Sequence, residues 1–188
     1  MGVVGEERRG VTVPTPTDPE VAAVTFKKHL DDFFTNGRPS WSTGWARYPV
    51  NQLNEVVEIP GIRADGTVDP YFFTLGAEYY PVWPVSAAFV RKTEAGDWEP
   101  VSGGPWWPRQ NDQPGFSFGL HTSYDYLDGT KRPLICLSFT LQYYFTAHGP
   151  SEDERWDPSH HTLSATLSRL GDVLKAPNYQ EPDGDRAP

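Results

Sequence analysis

The chain has 188 residues, with 16 basic and 25 acidic side chains, and its formal net charge at neutral pH is −9. This charge repels phosphate backbones, so nucleic acid is not expected as a partner. No run of residues approaches the roughly 18 consecutive apolar positions that a membrane helix needs, so a membrane is not expected either. The single cysteine excludes an intramolecular disulfide. The opening MGVVGEERRG lacks the apolar core of a secretory signal, and the expected compartment is the cytoplasm.

Length and composition indicate one folded domain with polar ends. Residues 1–18 are rich in charge, proline and threonine without apolar periodicity, so we expect a flexible N-terminal segment there. The single domain is expected to span 19–182, and 183–188 to form a flexible tail. Within the domain, 93–120 is rich in glycine, proline and tryptophan and is interpreted as an insertion.

The first predicted element is a helix over 19–35. Asp18 before Pro19 provides an N-cap residue followed by proline at the first helical position. The dipeptide Asn-Gly at 36–37 predicts where the helix ends. Apolar residues recur inside this range at roughly helical spacing, as Val21, Val24, Phe26, Leu30, Phe33 and Phe34.

Four short runs rich in β-branched and aromatic residues follow between 41 and 92. Turn-forming residues separate the runs, and this pattern predicts a four-stranded antiparallel meander. The sequence TEAGD between FVRK and WEPV is typical of a further hairpin turn. The predicted strands lie in WARYPV, LNEVVEI, YFFTLGAEYY and VSAAFVRK.

Three tryptophans of the predicted insertion, Trp98, Trp106 and Trp107, lie close to glycine and proline. Such a group could form a carbohydrate-stacking platform or a protein contact. Large aromatic residues are as often part of the core, so both interpretations stay open.

The remainder of the chain predicts an irregular stretch and a second helix. Residues 121–158 show no clear periodicity around the apolar LICLSF, whereas 159–175 carries leucines three or four apart, with Ser159 as a candidate cap. A helix, a meander, an irregular stretch and a helix together predict an α+β fold with the helices packed against the sheet. The leucines of the second helix are Leu163, Leu167, Leu170 and Leu174.

Several segments in this order resemble the ubiquitin-conjugating enzyme family. YYPVWPVSAAF is similar to the family's YPxxPP turn between two strands, and His121 matches the histidine of its HPN motif. LICLSF, which contains Cys136, resembles the catalytic segment. WDPSHHTLSATLSRLGDVLKAPN is similar to the family's WSP-helix-DPN block. The resemblance covers roughly 70–182, with weaker agreement in the first helix.

The resemblance implies a ubiquitin-conjugating fold, with an N-terminal helix, a four-stranded antiparallel meander, an active-site loop and a C-terminal helix. It further implies that Cys136 receives a ubiquitin-like protein as a thioester from an activating enzyme and transfers it to an amine of a target protein. No cofactor is implied. The shortened C-terminal part looks like bacterial relatives from anti-phage operons that encode ubiquitin-like conjugation systems.

Four supporting residues follow from the same resemblance. His121 is expected to hydrogen-bond the backbone rather than to act as a base. HTS replaces HPN, so Ser123 aligns with the asparagine that stabilises the oxyanion. Ser123, a backbone amide or Asn111 could substitute for that asparagine, and otherwise transfer to lysine is expected to be slow. Trp156 is expected to pack beside the active-site loop. Glu181 matches an acid near the thioester, although it could equally be one charge of a solvated tail.

Other interpretations of Cys136 stay open. A lone cysteine is most often a packing thiol, although strand alternation would turn it away from Ile135 and Leu137. The chain could also be an inactive relative that binds a ubiquitin-like protein or scaffolds an assembly. A cysteine hydrolase would need a histidine within hydrogen-bond reach of the thiol. The spacing of the cysteine and later histidines fits no zinc site, so no metal is expected. Those histidines are His148, His160 and His161.

Overall fold

The fold is mostly β. The computed structural model describes residues 14–35, 39–110, 119–147, 150 and 154–184. These residues form two α-helices, α1 (Pro19–Thr35) and α2 (Leu163–Val173), and nine strands. The strands are β1 (Ala46–Pro49), β2 (Asn54–Ile62), β3 (Val68–Gly76), β4 (Ser86–Lys92), β5 (Trp98–Pro100), β6 (Pro108–Gln110), β7 (Gly119–Asp125), β8 (Lys131–Cys136) and β9 (Tyr179–Pro182).

The first helix has the predicted bounds, and its start is fixed locally. The carboxylate Oδ1 of Asp18 accepts the backbone N–H groups of Glu20 and Val21 at 3.0 and 3.1 Å. These contacts satisfy two of the amides that a helix leaves free at its N-terminus. The buried stripe of α1 consists of Ala22, Phe26, Leu30 and Phe33.

The predicted meander is confirmed, and it continues into a fifth strand. Strands β1 to β5 follow one another in a curled antiparallel sheet, each paired with the next. The predicted TEAGD hairpin is also confirmed, because the N–H of Thr93 donates to the carbonyl of Asp97 at 2.8 Å. The face of the sheet that meets the core includes Val57, Ile59, Tyr71, Phe73, Leu75 and Phe89.

The predicted ubiquitin-conjugating fold is wrong. That fold has a four-stranded sheet and four helices, whereas the described part of this chain has a five-stranded half-barrel sheet, two smaller sheets and only two helices. The main error lies in 121–158, which is not irregular throughout, because β7 and β8 form an antiparallel hairpin there. Asp128 accepts the N–H of Thr130 at 2.9 Å, and Gly129 has a φ of 80°, so a tight turn joins the two strands.

The second helix begins later than predicted. Asp157 accepts hydrogen bonds from the backbone N–H and the hydroxyl of Ser159, which is therefore not the cap of α2. The helix begins at Leu163, whose N–H donates to the hydroxyl of the buried Tyr80 at 3.0 Å. The predicted leucine stripe is confirmed, since all four leucines are fully buried. Neither helix of the described part is long and apolar enough to cross a bilayer.

The tryptophans of the predicted insertion lie in different environments. Trp107 is buried, with its ring centroid 4.9 Å from that of Phe89. Trp98 lies on β5, where its ring contacts those of Tyr48 and Phe72 at 5.5 and 5.1 Å. The three residues therefore do not share one platform.

Candidate functional site around Cys136

Cys136 is the last residue of β8, directly opposite Gly119 at the start of β7. Its side chain is half-buried. Burial raises the pKa of the Cys136 thiol, while a hydrogen bond from the Gly119 backbone acts in the opposite direction. The group is therefore mostly a neutral thiol near pH 7.

Strand alternation places the sulfur on the side of the hairpin away from the main core. Ile135 and Leu137 belong to the core cluster and are each 3% exposed. Leu134 is also buried, yet it is not a member of that cluster. Cys136 is more exposed than its neighbours, so the thiol has an approach from outside that a packing residue of the core would lack.

The imidazole of His121 lies across Gly119, on the same face as the thiol. A Cβ atom added at Gly119 would lie 2.5 Å from Nε2 of His121 and 3.2 Å from its Cε1. The ring therefore occupies the space that a side chain at position 119 would need. Because residue 119 is the direct partner of Cys136 and His121 is the partner of Leu134, two positions along each strand, the histidine and the cysteine lie on the same face of the hairpin.

Two tyrosines and a glutamate also belong to the surroundings of the thiol and the imidazole. The rings of His121 and Tyr124 have centroids 4.9 Å apart. Burial is the main cause that raises the pKa of Tyr143, followed by the charges of Cys136 and Glu154. We call Cys136, His121, Tyr124, Tyr143 and Glu154 the thiol cluster.

Three members of the thiol cluster were not predicted from the sequence. Tyr124 lies on β7, and Tyr143 lies on the short 3-10 helix Leu141–Phe145, which follows β8. The position of Tyr124 could have been predicted from the Asp-Gly turn at 128–129, which folds β7 back onto β8. No local pattern in the sequence indicates that Tyr143 lies near the thiol, or that Glu154 lies near Tyr143.

Trp156 links the segment after Cys136 to the turn after β3. Its indole N–H donates to the carbonyl of Pro81 at 2.9 Å, and its backbone N–H donates to the hydroxyl of Tyr144 at 2.8 Å. Tyr144 in turn donates to the carbonyl of Ser138 at 2.9 Å. Trp156 is buried, and these hydrogen bonds fix the chain that leaves the thiol.

The other predicted supporting residues either lie away from the thiol cluster or fall outside the described residues. Ser123 is exposed on β7, beyond a register shift that follows His121. Glu181 lies in a separate sheet on β9, where its carboxylate pairs with Arg109 and, at 3.9 Å, with Arg63. Asn111 and His148 lie outside the described residues.

The remaining histidines bind to protein groups. His160 contacts the carboxylate of Asp157 at 2.8 Å, and Nδ1 of His161 accepts the N–H of the same residue at 2.9 Å. Among the described residues, no group of three His, Cys, Asp or Glu side chains is arranged to hold a metal ion.

Comparison of the chain with protein-family models, with curated proteins and with solved structures finds no match. A thiol and an imidazole on one face of a hairpin are the parts that nucleophilic acyl chemistry requires.

Proposed function

We propose that this chain is an acyl carrier that forms a thioester on Cys136. The acyl group is the carboxyl terminus of a ubiquitin-like protein, delivered by an activating enzyme and transferred to an amine of a target protein. The observation that carries the proposal is the position of the only sulfhydryl, half-exposed at the end of β8 on the same face of the hairpin as the imidazole of His121.

The reaction consists of two acyl transfers. In the first, the Cys136 sulfur attacks the thioester carbonyl of the donor, a new carbon–sulfur bond forms, and the donor thiol leaves. In the second, the amine attacks the carbonyl carbon, a carbon–nitrogen bond forms, and the Cys136 sulfur leaves with its electron pair. The amine loses one proton and the sulfur regains one, so neither a metal nor a redox partner is needed.

Hydrogen bonds between segments support the resemblance to ubiquitin-conjugating enzymes at a local level. The Tyr80-Pro81 turn accepts the indole N–H of Trp156 through the Pro81 carbonyl and the first amide of α2 through the Tyr80 hydroxyl. Two of the resembling segments are thus joined in space, although the fold around them differs from that family.

The proposed partners are an activating enzyme, a ubiquitin-like protein and a target protein. A reducing compartment such as the cytoplasm would keep the thiol free for acyl transfer. The setting that fits the resemblance is a bacterial conjugation system that acts against phages.

A second candidate function is a binding module that holds a ubiquitin-like protein without transferring it. Burial raises the pKa of the Cys136 thiol, which reduces the thiolate available for attack at neutral pH. Ser123, which aligns with the family's oxyanion residue, is exposed on β7, beyond the register shift after His121. These two observations favour binding over transfer.

The experiment that tests the proposal incubates the chain with its activating enzyme, ATP and the ubiquitin-like protein, and resolves the products on a non-reducing gel. We expect an adduct that reductant removes and that is absent from Cys136→Ala. Cys136→Ser is the matched variant, and any adduct on it should resist reductant because an oxygen ester replaces the thioester. If active components give no adduct on Cys136, the transfer function is excluded, and co-purification of the two proteins would then favour the binding module.

A further inference from the structure

We propose that His121 is the proton acceptor for the nucleophile that attacks the acyl group on Cys136, and that Gly119 is the residue that lets its ring reach the thiol. This inference rests on the proposed thioester function. It differs from the structural role that the resemblance implies for His121.

The geometry follows from the register of the hairpin. Gly119 pairs with Cys136, and His121 pairs with Leu134, so the histidine and the cysteine are diagonal neighbours on one face. The Nε2 atom of His121 lies 2.5 Å from the position of a Cβ at residue 119. Because residue 119 lies directly opposite Cys136, the ring of His121 occupies the position on this face of the hairpin that borders the cysteine.

His121 is the only member of the thiol cluster with the right chemistry for this task. An imidazole exchanges its proton near neutral pH, which a phenol does not. The pKa of Tyr143 is raised by burial and by neighbouring negative charge, so this hydroxyl stays protonated. Glu154, the one carboxylic acid of the thiol cluster, does not belong to the hairpin of β7 and β8. It lies on a later segment of the chain.

The proton movements balance in the transfer step. The amine nitrogen attacks the carbonyl carbon of the thioester, and its surplus proton passes to Nε2 of His121. The carbon–sulfur bond then breaks, and the imidazolium returns the proton to the Cys136 sulfur. A buried thiol with a raised pKa is a poor leaving group as a thiolate, so this return of the proton assists the step.

The test starts from a thioester formed chemically, without an activating enzyme. The whole chain is acylated on Cys136 by exchange with a small thioester of N-acetylglycine, and its discharge to free lysine is followed against pH by mass spectrometry. We expect His121→Gln to slow discharge about 100-fold and to remove a rate step near the pH at which histidine titrates. His160→Gln makes the same change at an exposed histidine, and it should leave the rate and the pH profile unchanged.

Gly119→Ala tests the positioning of the ring. The added methyl group would collide with Nε2, so the ring must move and discharge should slow. The double variant Gly119→Ala with His121→Gln should discharge no more slowly than His121→Gln alone. Both substitutions act through the imidazole, which His121→Gln has already removed. Added imidazole should partly restore discharge in His121→Ala, which a purely structural role of the histidine would not allow.

The outcomes separate this inference from the function on which it rests. If His121→Gln is acylated and discharges with the wild-type rate and pH profile, His121 is not the proton acceptor, while the thioester function stands. If the wild-type chain cannot be acylated on Cys136 at all, both are overturned. Thermal unfolding of each variant identifies any that fails to fold, and for such a variant the imidazole experiment on His121→Ala decides.

Discussion

Two groups of polar side chains in this chain differ in how much of their surface is exposed to solvent. The first, which we call the tyrosine cluster, consists of Arg63, Asp69, Tyr71 and Tyr179. The hydroxyl of Tyr179 donates to Oδ2 of Asp69 at 2.6 Å, and the two tyrosine hydroxyls lie 3.1 Å apart. Arg63 donates to both oxygens of Asp69 at 2.7 and 2.9 Å. Tyr71 and Tyr179 are 2% and 1% exposed and Asp69 is also buried, so these three hydrogen-bonded residues are closed to solvent, and only Arg63 at the edge is partly exposed.

The thiol cluster is open by comparison. Cys136 is half-buried, and His121 is likewise only partly covered. A buried polar group with all its partners stabilises the fold by holding β9 against the sheet, whereas a half-exposed nucleophile does little for stability. The difference predicts that substitutions in the tyrosine cluster act on unfolding, and that those in the thiol cluster act on chemistry.

The largest expected effect on stability comes from Asp69→Ala. The change removes the carboxylate that accepts the buried hydroxyl of Tyr179, and it removes the nearer of the two carboxylates that pair with Arg63. We expect the free energy of unfolding to fall by about 1–3 kcal/mol, measured by urea denaturation.

Glu94→Ala is the matched control for that substitution, because Glu94 is exposed in the turn between β4 and β5. Its effect should stay within about 0.5 kcal/mol. Equal stability of the Asp69 and Glu94 variants would contradict the stabilising role of the tyrosine cluster.

A smaller effect is expected when Cys136 is replaced by alanine. Because the thiol is half-exposed and faces away from the core cluster, Cys136→Ala should change the free energy of unfolding by less than about 1 kcal/mol. The same residue should react slowly with iodoacetamide at pH 7.5, since burial raises its pKa and the thiolate is the reactive form.

The alkylation rate of Cys136 should therefore keep rising above pH 8.5, and the denatured chain provides the reference for an unperturbed thiol. A rate that levels off by pH 7 would mean a lowered pKa. That result would contradict the burial of the sulfur.

The smallest expected effect is a pH dependence of stability that arises at His29. Its Nδ1 contacts the hydroxyl of Tyr80, and burial, followed by the charge of Lys28, lowers the pKa of His29 while Asp32 opposes this. The unfolded chain then binds more protons below about pH 6.5, so this contribution to stability is present above that pH and is lost as the pH falls.

His29→Gln should lose less stability than the wild type between pH 7.5 and pH 5.5, as measured by chemical denaturation at the two values. The discharge profile of the Cys136 thioester should be the same in both proteins. Identical losses of stability would mean that the folded chain does not disfavour protonation of His29.

Those parts of the fold that depend on neighbouring residues could be predicted from the sequence. Asp18 and Pro19 fix the start of α1, and alternation with turn residues fixes β1 to β4 and the hairpin into β5. The overall fold was predicted wrongly because the resemblance assigned 121–158 to an active-site loop. The Asp-Gly turn at 128–129 carried the opposite signal in the same segment.

The candidate site was predictable only in part. Cys136 follows from its being the single cysteine, and His121 from its motif. The proximity of Tyr143 and Glu154 depends on how the chain returns after β8, which no spacing in the sequence encodes. The start of α2 was missed for a similar reason, because its first amide is accepted by Tyr80, which lies 83 residues earlier.

The hydroxyl of Tyr80 has a consequence for the order of folding. It accepts the first amide of α2 and contacts His29 on α1, and it is fully buried. Helix ends ordinarily fray on their own, but the first turn of α2 can open only together with the turn after β3. The two helices and that turn thus form one cooperative unit. Closing it requires a long loop, so α2 is expected to dock after the meander has formed.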